Sequence, residues 1–71
     1  MLTKLEQMKL NFFKERFGKM NANEALNLAI DAEYFCNACG PFDVAFPRFK
    51  REQLDFENYA LLIEKAGEQN K

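Results

Sequence analysis

Cys36 and Cys39 stand three residues apart in the stretch EYFCNACGPF, residues 33–42, just before a Gly-Pro pair. That spacing suits a metal clip or a dithiol redox pair. A structural zinc site takes four Cys or His ligands. The chain holds two Cys and no His, so four thiolates would require two copies sharing one ion. A reactive dithiol sits best at a helix N-terminus, where the positive end of the helix dipole stabilises the thiolate. Here the pair falls at the expected end of a helix, where the dipole opposes ionisation. The two sulfurs therefore read as small apolar groups on a packed face, with no metal and no cofactor expected.

Acid–base chemistry has equally little to work with. The absence of His removes the side chain that titrates near neutral pH, and with it any Ser-His or Cys-His dyad. Asp31 with Glu33, and Asp55 with Glu57, are two residues apart, so on a helix each pair diverges. Glu24 and Asp31 are too far apart along a helix to share a proton. The three glycines are isolated and form no phosphate loop. An enzyme is not expected.

One short segment has the composition of a phosphate-contacting patch. Arg48, Phe49, Lys50 and Arg51 interleave a ring with three cations, and Lys4, Lys9, Lys14, Arg16 and Lys19 enrich the N-terminal segment in positive charge. Phosphate contact requires only clustered cations, and a ring can stack on a base. Nucleic-acid binding through Arg48, Lys50 and Arg51 is therefore the alternative function. The formal net charge of −1 sets up no global field toward nucleic acid or acidic lipid. The charge instead comes in blocks. Residues 1–20 hold five bases and two acids, residues 21–43 four acids and no base, residues 44–51 three bases and no acid. Such blocks suit segments that pair with one another or with a partner.

The elements that must position these residues are helices. Thr3-Lys4-Leu5-Glu6 has the form of a capping box, which predicts a helix from about 3 to 17 with Gly18 as its stop. Asn21 to Glu24 gives a second start signal, for a helix from about 22 to 38 that ends at Gly40-Pro41. The two prolines and three phenylalanines of PFDVAFPRFKR predict an extended or turn-rich connector over 40–54. Asp55 then caps a third helix, about 55 to 66, closed by Gly67. The fold class is all-α: a single small three-helix domain with a long aromatic, proline-containing connector between the second and third helices.

Helical projection at 100° per residue assigns faces. The second helix carries a main stripe of Ala25, Leu28, Ala29, Ala32, Phe35, Cys36 and Cys39, and a second of Leu26, Ile30 and Tyr34. A helix apolar on two sides should be central, with a neighbour on each. The first helix is also divided, with Leu5, Met8 and Phe12 on one stripe and Leu2, Leu10, Phe13, Phe17 and Met20 on the other. Lys9 and Arg16 project between these stripes. In the third helix Phe56, Tyr59, Ala60, Ile63 and Ala66 share a face, while Leu54 and Leu61 point elsewhere.

No stretch reaches the ~20 apolar residues of a membrane span, and the N-terminal residues show no secretory pattern. The expectation is a soluble, cytoplasmic protein with no membrane partner. Its expected function is non-catalytic association with a larger protein, as a small inhibitor or regulator of the kind phages and mobile elements encode. The expected contact residues are Lys9, Phe13, Arg16, Phe17, Phe46, Arg48, Phe49, Lys50 and Arg51. In that reading the rings act as desolvated anchors and the cations as an orienting rim. The divided first helix is also compatible with a homodimer built on its Phe13–Phe17 stripe.

Overall fold

Thr3 opens the first helix in both directions at once. Its hydroxyl accepts the Glu6 N–H at 3.1 Å, and the Glu6 carboxylate accepts the Thr3 N–H at 3.0 Å, so two unpaired donors of the first turn are satisfied. The resulting helix α1 spans Lys4–Phe17. Gly18, at φ 87°, turns the chain out, with its N–H on the Lys14 carbonyl at 2.9 Å. The Asn21 side chain accepts the Glu24 N–H at 2.8 Å and starts α2, Ala22–Cys39, which a second positive-φ glycine, Gly40, ends. The computed structural model describes residues 2–69, and α3 is its longest element, Phe46–Gln69.

The connector between α2 and α3 is much shorter than expected, because α3 begins nine residues before Asp55. Pro47 does not stop the helix. It lies in the first turn, where its missing N–H would have had no helical partner and its fixed φ is already helical. Asp43 organises the entry. Its carboxylate accepts the Ala45 N–H at 2.8 Å, and its carbonyl accepts the Phe46 N–H at 3.1 Å. The connector is thus residues 40–45, with Phe42 and Val44 almost fully exposed. At the other end α3 runs through Gly67, which takes no left-handed conformation.

The expected order of packing is also corrected. The central element is α3, not α2. Both α1 and α2 pack on α3, and the backbones of α1 and α2 stay apart. The pairings Glu6–Lys65 and Arg16–Asp55 make α1 antiparallel to α3. The Phe35–Phe49 stack and the burial of Ala25 with Tyr59 and Ala60 make α2 antiparallel to α3 as well. The outcome is an elongated molecule, 43 × 21 × 17 Å. Ala25, Ala29, Ala32 and Cys36 are buried. Recurring every three to four residues, these small side chains let α2 lie close along one neighbour. The stripe Leu26, Ile30 and Tyr34, which was to face a second neighbour, is exposed.

Tyr59 sits where α1 joins this pair. It is completely buried, and its ring lies 5.7 Å from Phe13 and 6.2 Å from Phe17. Its hydroxyl donates to the Gly18 carbonyl at 2.8 Å. Burial pushes the phenol pKa up, because an ionised oxygen would lose its water. Replacing Tyr59 with Phe should lower stability by roughly 1 kcal/mol, the ordinary net value of one hydrogen bond. Tyr59→Ala should cost about 3–5 kcal/mol. Urea unfolding followed by far-ultraviolet circular dichroism checks both values.

Candidate functional site

On α1 the two stripes have opposite fates. Leu10 and Phe13 are buried, and Leu2, Phe17 and Met20 are packed against the same core. Leu5, Met8 and Phe12 are 62, 60 and 55% exposed. The stripe with the most rings goes inward because α3 offers it Tyr59 and Phe56. Phe17 and Phe56 have centroids only 4.4 Å apart, at the close edge of the range for aromatic pairs.

This decides where the expected contact residues lie. Phe13 is core, and Phe17 is packed between Arg16, Phe56 and Tyr59, so neither is available as an anchor for a partner or for a homodimer. Arg16 is half-exposed, yet its guanidinium pairs with Asp55 at 3.5 Å and lies 5.1 Å from the Phe17 ring centroid. Lys9 is exposed and lines a shallow cleft with Glu6, Asn58, Leu61 and Leu62. Phe46 and Phe49 are half-buried in the first turns of α3, and Phe49 stacks on Phe35 of α2 at 5.3 Å. Arg48, Lys50 and Arg51 are exposed. Arg48 pairs loosely with Glu52 at 3.6 Å. Placing these cations on a helix rather than a loop separates them: Arg48 and Arg51 share a side, while Lys50 projects away from both. The two groups of expected residues are not brought together, since α1 pairs with α3 at residues 55–65, beyond the basic turns.

Two features of the surface lay outside the expected set. The first is the stripe Leu5, Met8 and Phe12, with exposed Leu61 of α3 across the cleft from Lys9. Its signal was present in the periodicity, but the expected contact residues come from the ring-rich stripe, which the fold packs inward. The second is an open groove of about 320 Å³ between α2 and α3. Leu28, Ala32, Phe35, Phe49 and Phe56 form its floor, and Asp31 and Glu52 its polar edge. Phe49 and Glu52 of its α3 wall belong to the part of α3 read as connector, so the sequence did not assemble it.

The cysteines fall as expected within the packed end of α2. Cys36 is buried, Cys39 is half-buried, and both are free thiols. Among the described residues no three His, Cys, Asp or Glu side chains are grouped to hold a metal ion. Likewise, no described helix is long and apolar enough to cross a membrane.

The ion pair that ties α1 to the far end of α3 has a second role. Lys65 Nζ donates to both Glu6 oxygens, at 2.9 and 2.8 Å, while the same carboxylate caps α1 through Thr3. The Lys65 hydrogen bond, then the Thr3 backbone N–H, hold the Glu6 pKa at about 2, against an ordinary value of 4.5. Comparison with protein-family models, with curated proteins and with solved structures finds no match.

A carboxylate whose folded pKa is depressed stabilises the fold fully above its unfolded pKa. That contribution is lost as pH falls from 4.5 through about 2. Thermal melts of wild type and Glu6→Gln should therefore differ at pH 6 and draw together toward pH 2. A gap that stays constant across this range would contradict the coupling.

Proposed function

We propose that the protein is a non-catalytic protein-binding module, acting as a small inhibitor or regulator on a larger partner. The observation that carries this reading is the exposed stripe of Leu5, Met8 and Phe12 on a helix whose other stripe already supplies the core. Monomeric domains seldom leave large apolar side chains in a row at helical spacing, and such rows mark interaction faces. Burying the part of each side chain that is still exposed would contribute about 1–2 kcal/mol, a gain that works against the entropic cost of association.

Charge supports the same class. Lys9 borders the stripe on one side, where an exposed cation can orient an approaching acidic surface and speed encounter. The nucleic-acid alternative, through Arg48, Lys50 and Arg51, has fewer supports. On the helix Lys50 points away from Arg48 and Arg51, so the three cations form no single patch. The two readings differ in their response to salt, since phosphate-driven affinity falls steeply and log-linearly with salt.

Immobilised wild-type protein should retain a host protein at 0.5 M salt, on the order of the concentration that suppresses phosphate contacts. Leu5→Gln, Met8→Gln and Phe12→Ser together should abolish that retention with an unchanged dichroism spectrum. The reading fails if the triple variant retains the same protein as well as wild type. It fails equally if nucleic acid is captured at low salt and lost on Lys50→Gln, Arg51→Gln.

A further inference from the structure

We infer that the groove between α2 and α3 receives a basic amphipathic helix of the partner protein. This deepens the protein-binding reading above and rests on it. The molecule already seats one helix on α3. α1 lies on α3 with Phe17 against Phe56 and Arg16 paired with Asp55, so the recognition unit is a ring on a ring flanked by a cation on a carboxylate. α1 ends there, at Gly18. The α3 surface does not end. One turn further toward its N-terminus stands Glu52, and two turns from Phe56 stands Phe49, both lining the groove that Phe56 also lines. A ring and an acid stand together here again; the ring, Phe49, is stacked on Phe35 of α2, and no α1 residue lines the groove beside them.

The opposite wall selects the sign of the visitor. Residues 21–43 carry four acids and no base. Asp31 borders the groove, is exposed, and has no cationic partner among the described residues. Glu52 has only the loose Arg48 pair at 3.6 Å, and the Arg48 side chain is largely in water, so an incoming cation can share that carboxylate. Two carboxylates on the edge repel a phosphate or a carboxylate ligand. At about 320 Å³ and open along one side, the space is at the small end for an enclosed organic ligand. It suits apolar side chains projected from a helix at i, i+3 and i+4.

The test titrates the full chain, isotope-labelled, with a synthetic 18-residue helix bearing Leu and Phe on one face and Lys on both flanks (about five turns). A second peptide replaces every Lys with Glu. The Lys peptide should shift the resonances of Ala32, Phe35, Glu52 and Phe56, and the Glu peptide should not. Asp31→Lys with Glu52→Lys should weaken the Lys peptide by about tenfold or more, while Glu33→Lys with Glu64→Lys, an equal charge change away from the groove, should change it by less than about threefold. All four positions are on the protein surface or its edge, and a dichroism melt confirms that the variants fold. Equal weakening by the two double variants overturns the proposal, as does the absence of binding. Shifts confined to Leu5, Met8 and Phe12 overturn the groove while leaving the protein-binding reading in place. Groove shifts that grow with protein concentration before peptide is added identify a second copy as the occupant and also overturn it.

Discussion

The fold depends on a single buried ring with a polar end. Tyr59 is the largest fully buried side chain among the described residues, and it is where α1, the link after α1, and α3 meet. Its ring packs against Phe13 and Phe17, and its hydroxyl donates to the Gly18 carbonyl at the turn. The backbones of α1 and α2 stay apart, and Leu10 and Phe13 meet Ala25 only within the buried cluster centred on Tyr59, Ala60 and Leu62 of α3. The two ion pairs, Glu6–Lys65 and Arg16–Asp55, mark the ends of this seam. Both are partly exposed, so their value is mainly in orientation; the aromatic contact between them supplies the larger apolar burial.

That constraint determines the surface. A helix with two apolar stripes and one neighbour can bury only one of them. Phe13 and Phe17 prevail because α3 offers them matching rings, and Leu5, Met8 and Phe12 are left in water. The same reasoning applies to α2. Its alanine stripe fits closely along α3, and with no second neighbour Leu26, Ile30 and Tyr34 stay outside. An arrangement in which α3 alone holds the other two helices leaves more apolar surface than a three-way bundle would. It also leaves the α2–α3 groove open below the point where α1 stops.

The helix starts and stops of α1 and α2 were legible because they rest on local chemistry: the Thr3–Glu6 capping box, the Asn21 cap, and glycines at positive φ. The placement of Cys36 on a packed face was legible from the same stripe that holds the alanines. The start of α3 was not. Two prolines near each other read as interruption, and only the position of Pro47 within the first turn reverses that meaning. With α3 shortened to its second half, α2 became the natural centre, and Phe46 and Phe49 became connector rings. The choice between the two stripes of α1 was not legible either, since it turns on which stripe finds Tyr59 and Phe56, and those contacts join residues far apart in the sequence.

The central claim is that α3 alone holds both other helices, with α1 seated through Tyr59. Nuclear Overhauser contacts in the isotope-labelled protein measure this directly. The expected cross-peaks run from the Tyr59 ring to Phe13, Phe17 and Gly18, with none between Leu5, Met8 or Phe12 of α1 and the exposed stripe of α2. Cross-peaks joining Leu5, Met8 or Phe12 to Leu26, Ile30 or Tyr34, with the Tyr59 ring free of Phe13, would contradict it.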